Sequence, residues 1–186
     1  MNITVTAGHG SGDPGAVAAD GTTEAALMTE LRDIVASKLR SAGHTVKTDG
    51  ARWQNLPLVH ALTLVRGADV AIELHMNASV SKAARGVEVI SLPERAQLAR
   101  TIARRIAHVI ESPVRGAGGW IDQAQSARGR LGFVRAGGLV VEVGFISNPD
   151  ELHQVRTRLW LVASAIVAAI TPPGDAGTQP TERTAP

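Results

Sequence analysis

Two histidines and one misplaced glutamate are the residues of this chain whose types and settings could do chemistry. His9 lies in Thr6-Ala7-Gly8-His9-Gly10-Ser11-Gly12-Asp13-Pro14-Gly15-Ala16, directly after the alternating run Ile3-Thr4-Val5. The glycines of that stretch let backbone approach a ligand closely. His75 follows a second apolar run, Ala71-Ile72-Glu73-Leu74. A lone histidine at the end of a buried strand is more often structural than a ligand. Two in matching settings suit a catalytic zinc site, which takes three His, Asp or Glu ligands and leaves a fourth position for water. His9, His75 and one carboxylate would meet that need, although their spacing is not a contiguous metal motif.

Glu142 is the sharper anomaly. It interrupts the apolar series Val140, Val141, Val143 and Phe145, where an ionised carboxylate is costly unless paired. It is either one half of a buried ion pair with an arginine or a general base. In the second case its apolar setting raises its pKa and sets it against a bound water.

The elements that must position these residues alternate between strand and helix. Ile3–Val5 predicts a first strand. Thr22 or Thr23 caps a helix running to about Ala42, with Leu27, Leu31, Ile34, Val35 and Leu39 on one stripe. Gly43 ends it. Glu24 falls in its first turn, where a carboxylate also suits the helix dipole. Thr45–Thr48 is a second strand, and a helix from about Pro57 to Arg66 follows, with Pro57 at its first position. Asp69–Leu74 is a third strand feeding into His75. Gly86–Ser91 is a fourth, and its alternation predicts a half-exposed edge. A helix spans about Glu94 to Glu111. The Gly- and Arg-rich segment from Ser112 to Gly138 carries a weak strand at Leu131–Arg135. Gly138–Val143 is an apolar strand, and one last helix runs from Ser147 to about Ile170. The order predicts an α/β fold in one domain: a mostly parallel twisted sheet with helices on both faces. Its ligand site is expected at the carboxyl ends of the strands. Residues 1–171 make up this domain. The stretch 172–186, without periodicity and rich in Pro, Gly and Thr, reads as a disordered tail.

The 186 residues are 44% apolar but only 3% aromatic, so the core must be aliphatic. The net charge is +2 while the pI is near 9.7, because neither Cys nor Tyr is present to titrate between His and Lys. The high pI is therefore no argument for a nucleic-acid partner. The absence of cysteine removes thiolate metal sites and cysteine nucleophiles. No run is long and apolar enough to span a membrane, and the first residues lack an export signal. The expectation is a monomer made in the cytoplasm.

Several separated motifs together resemble the zinc-dependent N-acetylmuramoyl-L-alanine amidases, in particular the AmiC-type catalytic domains also used by phage endolysins. They are Gly8-His9-Gly10 with Asp13-Pro14-Gly15-Ala16, then Glu24, then His75-Met76-Asn77-Ala78, and then Val141-Glu142-Val143-Gly144-Phe145-Ile146-Ser147-Asn148-Pro149. The resemblance implies zinc ligands at His9, Glu24 and His75 and a catalytic glutamate at Glu142. The implied reaction is hydrolysis of the amide between N-acetylmuramic acid and L-alanine in peptidoglycan. Asn77 would contact substrate, support a metal ligand from behind, or order its loop. Two positions depart from the family pattern. Glu73 replaces a small polar residue; by alternation it shares the side of His75, and either fixes that ring or pairs with an arginine. Met76 replaces an alanine and would narrow the site.

The expected setting is a phage or prophage endolysin that waits in the cytoplasm and reaches the wall once the membrane opens. The same metal chemistry would serve a zinc peptidase acting on the stem peptide. A non-catalytic module that binds the wall is the alternative of a different class. Glycosidase chemistry would need two carboxylates about 5 to 9.5 Å apart, for which Glu73 and Glu142 are the conceivable pair.

Overall fold

The structure, a computed structural model, describes residues 1–126 and 129–171. The tail expected to be disordered lies outside the described residues. Among them, six strands form one sheet in the order β2-β1-β3-β6-β4-β5. The strands are β1 (Asn2–Ala7), β2 (Thr45–Thr48), β3 (Val70–Asn77), β4 (Glu88–Ser91), β5 (Trp120–Asp122) and β6 (Leu139–Phe145). Four of the five neighbouring pairs are parallel, and β4 runs antiparallel to β6.

Helices cover both faces, as the alternating elements require. One face carries α1 (Glu24–Ser41), α3 (Ala96–Val109), α5 (Pro149–Thr157) and α6 (Leu159–Ile170). Their apolar stripes meet Ile72, Leu74 and Met76 of β3 and Val141 and Val143 of β6 in the larger core. The other face carries α2 (Leu58–Val65) and the short α4 (Gly132–Arg135), packed on Ala71, Ile90 and Val140 in a smaller core. Strand alternation assigns these two sets to opposite faces. The smaller core gives out toward the carboxyl ends of β3 and β6, where its face continues as Glu73, His75 and Glu142.

Local chemistry sets the helix ends. Thr23 caps α1 by accepting from the Ala26 amide, and Gly43 follows in a left-handed conformation. Asn148 caps α5, with Pro149 next in line. Pro57 stands one place earlier than expected, at the N-cap of α2.

Four expectations need correction. β4 is not a half-exposed edge: all its residues are buried, because β5, which the alternation did not reveal, pairs along its outer side. Leu131–Arg135 is not a strand; residues 132–135 form α4, which places Phe133 and Val134 in the smaller core. The last helix is two, broken at Arg158, whose guanidinium reaches the Val109 carbonyl and Glu111. The third strand extends through His75 to Asn77 instead of stopping at Leu74. Among the described residues, no helix is long and apolar enough to cross a membrane.

Leu74 is wholly buried on the central strand β3. Leu74→Ala should cost about 2–5 kcal/mol of stability, read as a lower midpoint in urea unfolding. An unchanged midpoint would show that this face of β3 is not the centre of the core.

Candidate metal centre

The site lies at the carboxyl end of the sheet, where β1, α1 and β3 converge. His9 stands two residues beyond β1 in a left-handed backbone conformation (φ 66°), uncommon for a residue with a side chain. Glu24 is the first residue of α1 and is buried. His75 is on β3, where its ring emerges from the face of the smaller core. One ligand atom from each of the three lies within 4.8 Å of the others. Sequence positions 9, 24 and 75 thus become one cluster.

Glu24 is its centre. Its Oε1 lies 3.0 Å from His75 Nδ1 and accepts the Met76 amide at 3.0 Å. Its Oε2 lies 3.3 Å from His9 Nε2 and accepts the Ala16 amide at 3.1 Å. Each histidine turns its other nitrogen to a second carboxylate: His9 Nδ1 to Asp13 Oδ2 at 2.8 Å, and His75 Nε2 to Glu73 Oε2 at 3.2 Å. A carboxylate on the far nitrogen fixes the tautomer and orientation of a ligating imidazole.

The donor set of two imidazoles and a carboxylate is of the kind a zinc-type ion takes, and the surroundings are shaped for it. A Cβ added at Gly8 would lie 1.9 Å from His75 Cε1. One at Gly15 would lie 2.7 Å from His9 Cδ2 and 2.8 Å from Glu24 Oε2. Only glycine leaves room for the rings at these two places.

Electrostatics bind the cluster together. Burial works against the charge on Glu24, but hydrogen bonds with His75 and His9 hold its carboxyl well below the usual range. Burial likewise lowers the basicity of His75. Its bonds with Glu24 and Glu73 and the charge of Glu142 outweigh that and push its pKa up to about 10. The His9 pKa is raised chiefly by its bond with Glu24.

Glu142 is wholly buried on β6, directly across from His75 on β3 and from Glu88 on β4. Paired residues share a sheet face, so Glu142 lies in a polar row beside the cluster. Glu88 is joined by Arg115 at 2.7 Å and by the Asn77 amide at 3.0 Å. Asn77 also accepts the Ala78 amide, which orders the loop after β3. Glu73 lies against His75, and no arginine is paired with it among the described residues. Met76 does not narrow the site: it points to the opposite face and is buried in the larger core. The contact of Asp13 with His9 has no signal in the spacing of the residues. Nor has a clamp on the His9 loop made by Arg32, Asp49 and Asn55. Arg32 gave a signal, since it stands on the apolar stripe of α1 between Met28 and Val35.

The profile of the N-acetylmuramoyl-L-alanine amidases matches residues 3–172. The chain belongs to the N-acetylmuramoyl-L-alanine amidase family. Within it, a Neisseria meningitidis structure described as an N-acetylmuramoyl-L-alanine amidase is 41% identical. It aligns over 91% of this chain and 93% of its own, with a TM-score of 0.84. The catalytic domain of CwlV from Paenibacillus polymyxa shares the fold at 23% identity, with a TM-score of 0.78 over 92% and 97% of the two chains. The Staphylococcus aureus protein named "Probable autolysin PH" is 27% identical across 90% of this chain. The chain spans only 38% of the length of that relative.

The raised His75 pKa has a signed consequence for the metal-free amidase domain. Its stabilising contribution is complete below the ordinary value of 6.5 and is lost as pH rises through about 10. Metal-free protein should therefore become progressively easier to unfold in urea between about pH 7 and about pH 10. His75→Gln should flatten that slope; a wild type without one would show that the cluster holds no such proton.

Proposed function

We propose that this chain is a zinc-dependent hydrolase that cleaves the amide between N-acetylmuramic acid and L-alanine in peptidoglycan. The observation that carries the reading is the meeting of His9, Glu24 and His75 beside Glu142 in a chain of the amidase family. In this reading His9 Nε2, the Glu24 carboxylate and His75 Nδ1 are the zinc ligands. Asp13 and Glu73 hold the outer ring nitrogens. Zinc bound there would polarise the scissile carbonyl and bring the pKa of a water molecule down to about 7.

The remaining steps belong to the protein. Glu142 takes a proton from the attacking water and delivers it to the alanine nitrogen as the carbon–nitrogen bond breaks. The products are the lactyl carboxylate of the sugar and a stem peptide with a free L-alanine amine. The Glu73 carboxylate is engaged at His75, which leaves it unsuited to act with Glu142 as a glycosidase pair.

The decisive measurement is a digest of purified peptidoglycan with and without a zinc chelator. New N-terminal L-alanine that vanishes with the chelator is the expected result. New reducing sugar ends, or amino termini from inside the stem peptide, would replace the amidase reading with glycosidase or peptidase chemistry. Wall binding without any product would leave a non-catalytic module.

Two substitutions separate the roles. Glu142→Ala should keep stoichiometric zinc and lose about 10²–10⁴-fold in rate, whereas His75→Ala should lose the zinc. Full activity in the first, or full zinc content in the second, would overturn the corresponding assignment. The endolysin setting is part of the same proposal. It predicts that cells producing the protein lyse only when their cytoplasmic membrane is permeabilised.

A further inference from the structure

The buried charges at Arg32 and Asp49 take no part in the chemistry above, yet they lie behind His9. Arg32 emerges from α1, two turns after Glu24, and is completely buried. Its guanidinium donates to Asp49 Oδ1 at 3.0 Å, to the carbonyls of Ala51 and Gln54 at 3.0 and 2.7 Å, and to Asn55 Oδ1 at 3.3 Å. It also pairs with Asp33, which accepts the Trp53 amide. One side chain thus gathers the whole loop from Asp49 to Asn55.

That loop grips the end of β1 from both sides. Asp49 Oδ2 accepts the Ala7 amide at 3.2 Å. Asn55 Nδ2 donates to the Ala7 carbonyl at 2.8 Å and to the His9 carbonyl. The Asn55 side chain also presses on Gly10, where an added Cβ would lie 2.7 Å away. Between these contacts His9 holds its left-handed backbone. Such a conformation is unfavourable outside glycine and persists only where the surroundings impose it.

We propose that Asn55 is a positioning residue for the metal centre: its carboxamide, oriented by Arg32, locks the backbone of His9 so that Nε2 faces Glu24. The inference rests on the metal-site reading given under Proposed function. The orientation of the amide follows from its partners, since Arg32 supplies only donors and the two carbonyls only accept. Asparagine meets both demands at once. Aspartate has nearly the same shape and keeps the bond to Arg32, but offers the two carbonyls an acceptor. The helix that delivers Glu24 therefore also sets, through Arg32 and Asn55, the second ligand.

The test measures zinc affinity by chelator competition and the absorption spectrum of the cobalt-loaded protein, beside the melting temperature of the metal-free form. Wild type, Asn55→Asp, Asn55→Ala and Ser11→Ala are compared. Ser11 donates to the Asn55 backbone carbonyl at 3.2 Å, so Ser11→Ala touches the loop without touching the carboxamide. Both Asn55 variants should bind zinc about 10- to 100-fold more weakly with an altered cobalt spectrum, while their metal-free melting temperatures fall by clearly less than that loss of affinity would imply. Ser11→Ala should bind as wild type does. Wild-type affinity in Asn55→Asp would overturn the inference and leave the amidase reading standing. A loss of metal-free stability as large as the loss of affinity would assign Asn55 to the fold alone. A wild-type protein that binds no zinc would overturn the metal-site reading, and this inference with it.

Discussion

A carboxylate held almost wholly out of water is the constraint on which this structure turns. Glu24 has four partners on its two oxygens, and they come from three separate parts of the chain: the His9 loop, the Ala16 backbone and the end of β3. Burial opposes its charge, and the two histidines reverse that effect. A buried charge cluster is weak evidence for stability, because desolvation offsets much of the Coulombic attraction. Its value here is geometric. The start of α1 cannot move relative to β1 or β3 without leaving a buried charge unpaired.

Support for that point is arranged in layers. Asp13 and Glu73 fix the rings from outside, and Gly8 and Gly15 clear the space the rings fill. Behind His9, the Arg32 loop holds the backbone that aims it. Sites held within a fraction of an ångström need such a supporting shell. The same helix contributes to the inner and outer layers, which couples their positions along one rigid rod.

The mixed sheet supplies the rest. β6 enters between β3 and β4, placing Glu142 between His75 and Glu88. Because β4 is antiparallel, its first residue arrives at the end where β3 and β6 finish. An all-parallel arrangement would have carried Glu88 to the opposite edge, away from Asn77 at the end of β3. On this face the apolar packing of α2 and α4 stops short of the strand ends, and polar residues take over.

By itself the sequence determined the period of the elements, the α/β class and the anomalous polar residues. Glycines beside His9, an acid among valines at Glu142 and the apolar runs that lead into His9 and His75 are local patterns, and local patterns survive in one dimension. The apolar stripe of α1 was legible for the same reason, and it even carried Arg32 as a misfit. The partners of that misfit were not legible. Nothing in the spacing of residues 32, 49 and 55 announces that they meet, nor that Glu73 turns to His75 instead of an arginine. The edge role expected for β4 failed because alternation reports which residues differ, not which strand lies alongside; β5 came from a Gly- and Arg-rich segment with almost no strand signal. Register and strand order arise from chain segments far apart packing against one another. Only the tertiary structure decided them, because the contacts that fix them exist only once the chain has folded.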